Sequence, residues 1–191
     1  MKDNISRHSQ RFRSGAIPDY VTGTWKSDPA HSTIDFSIGQ LVCTTVRGRF
    51  TGCDVTLVTA EDPLDSSVVA TIDLATLDTG NEKRNEHVRS ATFLDVETYP
   101  TAIYRSTGVR RTSRDWAVDG ELTLHGITRP VCLIVAPTGF GPDPSGGNRA
   151  GFTATTQIRR SEFGIDKWLG GGLVVSDKVP ITIRLEAVSQ L

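Results

Sequence analysis

Few side chains ionise near neutral pH in this chain, and the four histidines are the obvious ones to weigh for chemistry. Arg84 and His87 stand three apart, so on a helix their side chains share a face. An Arg fork beside an imidazole suits a phosphate or diphosphate head group, and the same pair could equally cap or pin a loop. His31 lies in Asp28-Pro29-Ala30-His31-Ser32, which offers the one His–carboxylate pair within a single motif. It reads as a backbone-pinning turn residue, a ligand contact or a general base. His125 precedes Gly126, which can take the positive φ of a tight connection, so His125 reads as a turn residue before it reads as a base. No histidine falls in HxH or HExxH spacing, which speaks against a metal site. Serine and cysteine nucleophile motifs are absent too. The glycines at 170–172 lack the GK[ST] ending of a phosphate loop and read as a flexible loop.

The elements that must carry these residues are strands. Ile34, Phe36 and Ile38 alternate with Thr33, Asp35 and Ser37, which puts the apolar trio on one face. Leu41 to Val46 could form one helical turn. Arg49 to Thr59 reads as a strand whose apolar phase slips near Gly52, suggesting a β-bulge. Further strands are expected at Ser67–Leu74, Thr101–Val109, Trp116–Leu124, Val131–Ala136, Gly151–Arg159 and Lys178–Val188. Pro180 must then sit where no ladder donor is needed. The Gly/Pro-rich segment after Ala136 reads as a loop tip. The single helix spans Glu82 to Val88, with Asn81 as N-cap and Glu82 in the favourable first turn. Short strands between turns argue for a sandwich or a closed antiparallel barrel.

With 191 residues, near-balanced charge (21 Lys+Arg against 22 Asp+Glu) and abundant Thr, Val and Gly, the chain fits one large β domain. It fits neither a globally basic nucleic-acid binder nor an acidic disordered chain. No stretch approaches the length of a membrane span, and the N-terminus lacks the apolar run of a signal peptide. Three cysteines, Cys43, Cys53 and Cys132, form no CxxC and read as apolar fillers in a reducing compartment. A cytoplasmic protein is therefore expected, with residues 1–22 as a basic N-terminal arm and 23–191 as the folded domain.

Five segments resemble one family. SDPAHSTIDFSI (27–38), RNEHVRSATFLDVETYP (84–100), VDGELTLHGITRPV (118–131), RSEFGID (160–166) and SDKVPITIRLEA (176–187) are similar, in order, to the YceI-like, polyisoprenoid-binding, lipocalin-like proteins. The resemblance covers Gly23 to Ala187 and departs at Asn85, where the family usually carries Asp after the Arg. It implies an all-β fold, a single extended lipocalin-like antiparallel β-barrel of about eight strands with a short helix, enclosing a long apolar chain. It also implies a homodimer.

Phe36, Ile38, Phe50, Ile72, Phe93, Tyr104, Leu122 and Phe152 could be core in any β fold; the resemblance makes them the lining of a tunnel. Small residues among them (Gly52, Ala70, Ala102, Gly120, Ala154) should leave that tunnel narrow. Arg84 and His87, on the lone helix, become the cations for an anionic head. The resulting expectation is non-catalytic binding of an isoprenoid or other long apolar molecule for transport, storage or sequestration. It involves no cofactor, metal, nucleic acid or integral membrane segment. A stress-response interaction protein with an incidental cavity, and an enzyme acting on a bound lipid through His31, His87 or His125, are the alternatives.

Overall fold

A computed structural model describes residues 17–40, 44–165 and 175–190. Eleven strands follow in chain order: β1 (Gly23–Ser27), β2 (Thr33–Gln40), β3 (Thr44–Phe50), β4 (Cys53–Thr59), β5 (Ser67–Asp73), β6 (Leu77–Asp78), β7 (Thr101–Arg111), β8 (Trp116–Leu124), β9 (Ile127–Pro142), β10 (Asn148–Arg159) and β11 (Lys178–Ser189). One α-helix, α1 (Glu82–Arg89), falls between β6 and β7.

All the pairings are antiparallel, and β1-β4-β5-β7-β8-β9-β10-β11 closes on itself through β11 and β1 into an eight-stranded barrel. The closure is shared. On one edge β11 pairs with β10 along its length; on the other it meets β2 over Ile181–Arg184 and β1 over Ala187–Ser189. The sheet then continues from β2 to β3 and β6, so the barrel is extended at that end by a flap. Alternation along each strand sends one face inward, and two buried clusters result. One, around Leu74, Leu77, Leu94 and Phe163, lies under the α1 end; the other gathers Trp25, Phe140, Ala150 and Ala187.

Three local expectations are corrected. Thr44–Val46 belongs to strand β3 and not to a helical turn, while Leu41–Cys43 lie outside the described residues. The phase slip at Gly52 is no bulge: the chain turns a corner and changes partners, Phe50 pairing with Ile34 and Cys53 with Ile72. The corner is held by the Gly52 N–H donating to Thr76 Oγ1 and the Asp73 N–H donating to the Gly52 carbonyl. The Gly/Pro-rich segment after Ala136 is mostly ladder, with Pro142 opposite Asn148 and Gly139 opposite Gly151. The strand prolines explain this. Pairing of β9 with β8 ends at Val135 and with β10 begins at Ile134, so Pro130, Pro137 and Pro142 each lie where β9 is paired on one side only. Pro180 likewise lies beyond the β2 ladder, which starts at Ile181. A missing N–H is tolerated there as on an edge strand.

The helix forms where its cap dictates. Asn81 is extended and its side chain accepts from the Arg84 N–H at 3.0 Å. His125 and Gly126 both take left-handed φ, 53° and 73°, making the two-residue connection that joins β8 to β9 with the right twist. A side chain at Gly126 would also strike the Tyr99 ring, at 2.6 Å.

Candidate functional site

The inward faces do not close into a solid core. They leave two lobes, an outer one of about 610 Å³ below α1 and an inner one of about 200 Å³ within the barrel. Ile34, Ile72, Leu122, Ile158 and Ile181 border both, forming an aliphatic waist contributed by five strands. All ten residues expected to contact a ligand border this space. Phe36, Ile38, Phe50, Ile72, Arg84, His87, Phe93 and Leu122 line the outer lobe, and Tyr104 and Phe152 the inner one, which Ile72 and Leu122 also reach.

The small residues act differently from one another. Ala70 and Ala154 border the inner lobe and Ala102 the outer one. Gly120 does not widen the tunnel, because the Tyr104 ring occupies the place of its missing side chain and the Tyr104 hydroxyl donates to Val118 O at 2.9 Å. Phe36 covers its cross-strand partner Gly48 in the same manner, with Phe50 packed 5.5 Å away. Gly52 lies at the strand corner and borders neither lobe. Burial raises the Tyr104 hydroxyl and the Cys53 thiol above their ordinary ranges, so both stay protonated beside the inner lobe.

The polar lining of the outer lobe is Asn81, Lys83, Arg84, His87 and Arg160. Arg84 pins the preceding loop, its Nε donating to Thr79 Oγ1 at 2.8 Å and its Nη2 to Thr79 O at 2.7 Å. Arg160 is held by three carbonyls, those of Ser176, Ile165 and Val175. The loop-pinning role of Arg84 is thus real, but carbonyls do not cancel its charge. Among the described residues neither Lys83, Arg84 nor Arg160 forms an ion pair, and no acidic residue lines the outer lobe. His87 packs edge-on against Phe93, 5.1 Å between centroids. Arg184 touches the inner lobe but is neutralised by Asp35, 2.6 Å away.

Asn85 is 4% exposed, and its Oδ1 accepts from the Thr79 N–H and hydroxyl at 2.8 and 2.7 Å. It braces the loop that Arg84 grips. Sequence reasoning missed Lys83, Arg160 and the waist residues Ile34, Ile158 and Ile181. Arg160 opens one of the family-like segments, and that was its only signal.

The other candidate chemistry lies elsewhere. Asp28 and His31 form a pair at 2.9 Å that borders neither lobe. Hydrogen bonds from His31 and then Arg149 hold the Asp28 carboxyl down to about 2. Arg149 in turn binds Asp28, Asp143 and Glu186. His125 faces the Phe163 carbonyl at 3.1 Å in its turn, and the 170–172 glycines lie outside the described residues. Among the described residues no group of three or more His, Cys, Asp or Glu could hold a metal, and no helix is long and apolar enough to cross a membrane.

A closed eight-stranded antiparallel barrel whose apolar cavity is basic at its α1 end defines a lipocalin-like barrel. The chain belongs to the YceI-like domain family, whose model matches residues 25–187. A UPF0312 protein of Azotobacter vinelandii is 37% identical over 174 residues, 90% of this chain and 88% of that protein. Among solved structures, Burkholderia cenocepacia BcnA superposes with a TM-score of 0.75 at 24% identity, covering 85% of this chain and 99% of its own. A polyisoprenoid-binding domain from Saccharophagus degradans, implicated in plant cell wall breakdown, gives 0.62 at 18% identity, covering 89% of this chain and all of its own.

Proposed function

We propose that the barrel binds one long apolar chain, an isoprenoid or similar amphiphile, without transforming it. The tail occupies the two lobes and an anionic head meets Arg84, His87, Lys83 and Arg160. The observation that carries this reading is the polarity of the cavity: its walls are aliphatic and aromatic, and the unneutralised cations among the described lining residues all stand at the α1 end. A ligand with no charge would not require them there. The energetics support it. Ten buried methylenes at ~0.8 kcal/mol contribute ~8 kcal/mol gross, a micromolar affinity before ordering costs, and the outer lobe has room for more. Catalysis is disfavoured because the one His–carboxylate pair among the described residues, Asp28 with His31, borders neither lobe.

Transport, storage or sequestration of the lipid would follow, with the chain acting in the cytoplasm as a homodimer. Exposed Val58 and Val69 on the paired strands β4 and β5, with exposed Leu64 on the connection between them, offer a second copy an apolar surface, which sedimentation would detect.

The test is organic extraction of the purified protein with mass spectrometry, followed by binding of prenyl phosphates and prenols to the emptied protein. A stoichiometric prenyl lipid supports the reading. Arg84→Ala should weaken the phosphorylated chain about tenfold or more and leave the alcohol nearly unchanged, as expected for a lost charge-assisted contact. Equal weakening of both, or of neither, removes the head-group role. An empty cavity that takes up no chain removes binding altogether and leaves the incidental-cavity reading.

A further inference from the structure

We infer that Phe152 is the length stop of the tunnel, the surface on which the tail of a bound chain ends, so that the protein selects isoprenoids by length at its inner end. This rests on the binding reading above and adds a specificity-determining residue to it.

The two ends of the cavity differ. At the α1 end stand the cations Lys83, Arg84 and Arg160; at the other stands a stack of aromatic rings. Phe152 borders the inner lobe, and Phe140 lies behind it, 5.7 Å between centroids and nearly perpendicular at 88°. Phe140 in turn packs edge-to-face with Trp25 at 5.5 Å and with Tyr20 at 5.4 Å. Neither Trp25 nor Phe140 borders either lobe, so Phe152, with Tyr20 and Ile17 beside it, is the face that this stack presents to the cavity.

The stack is anchored. Trp25 is 0% exposed, and its indole N–H donates to Thr59 Oγ1 at 2.7 Å. The Thr59 hydroxyl donates to Val21 O at 2.7 Å, and the Tyr20 hydroxyl to Ala60 O at 2.8 Å. Residues 17–21, the inner end of the arm, are thereby fastened across this end of the barrel. With Phe140 and this hydrogen-bonded stack close behind it, the Phe152 ring has no room to retreat before a longer tail, because close-packed interiors resist such displacement.

Taking a methylene as about the size of a water molecule, ~30 Å³, the outer lobe of about 610 Å³ holds roughly twenty carbons and the inner lobe of about 200 Å³ roughly seven. That is between five and six isoprene units from mouth to stop. Longer chains leave their extra units outside the mouth, where they add little. Replacing Phe152 by Ala removes six side-chain carbons beyond Cβ, a little more than one isoprene unit.

The experiment measures Kd for the full chain against prenyl phosphates of three to eight isoprene units, with thermal melts to establish that each variant is folded. In the wild-type protein affinity should climb about tenfold or more per unit and level off near five or six. Phe152→Ala should move the break one unit longer, and Phe152→Trp, which adds three non-hydrogen atoms, should move it shorter by about half a unit, read as a smaller gain for the last unit before the break. Should Phe152→Ala fail to fold, Phe152→Leu and Phe152→Trp supply the two directions. A break that stays in place in the folded variants, or an affinity that rises evenly to eight units, overturns the stop while leaving binding intact. Failure of the wild-type protein to bind any chain overturns the binding reading, and the stop with it.

Discussion

Gly120→Ala tests whether the Tyr104 ring belongs where the barrel puts it. A Cβ at position 120 would overlap the Tyr104 ring and come within 2.6 Å of the Arg105 carbonyl oxygen. Forcing the ring away costs ~1–3 kcal/mol of overpacking. Breaking the Tyr104 hydroxyl bond to Val118 O adds ~0.5–1.5 kcal/mol. Replacing a strand glycine by Ala returns ~0.5–1 kcal/mol of backbone entropy. The expected net loss is ~0.5–4 kcal/mol and centres on ~2 kcal/mol, a fall of roughly 4–8 °C in melting temperature for a chain of this size. The assay is thermal unfolding followed by circular dichroism, for Gly120→Ala, Tyr104→Leu and the double variant. Because the Arg105 oxygen remains close in every background, the coupling is the decisive quantity, and it should reach ~1 kcal/mol or more. The displaced ring must enter the inner lobe that it lines, so lipid affinity should fall as well. Stability within ~0.5 kcal/mol of the wild type, or an equal loss with and without Tyr104, would refute the reasoning.

Two further outcomes are expected. The Asp28 carboxyl, ordinarily near 3.8, sits at about 2 in the fold, so its stabilising contacts are complete above pH ~5 and are lost as pH falls through 2. Asp28→Asn should therefore melt a few degrees lower at neutral pH, and the gap should close between pH ~4 and ~2 in a melting series. Asn85→Ala leaves the Thr79 N–H and hydroxyl without their acceptor, which should cost ~1–3 kcal/mol in denaturant unfolding and loosen the grip of Arg84 on the same Thr79 hydroxyl. Unchanged stability in that variant would show that the brace is redundant.

Much of this protein is legible along its chain, because the forces involved are local. The alternation of Ile34, Phe36 and Ile38 with polar neighbours needs only the period of a strand. The Asn81 cap needs only the unpaired N–H groups of a helix start. The His125-Gly126 connection needs only the conformations those two residues tolerate. Other features depend on which strand lies alongside. The change of partner between Phe50 and Cys53 looks, in one dimension, like a bulge. Pro137 and Pro142 of β9 look like loop residues until the pairing of β9 with β8 is seen to end at Val135, opposite Trp116, which frees one side of the ladder. The cavity is the extreme case. An inward-facing apolar residue has the same period and the same chemistry whether it fills a core or walls a tunnel. Only the closure of eight strands, and the rings of Tyr104 and Phe36 laid over Gly120 and Gly48, decide how much space remains. Arg160 lines the same outer lobe as Arg84 although 76 positions separate them in sequence, because the residue that follows β10 and the helix α1 border one cavity, and no spacing rule spans that distance.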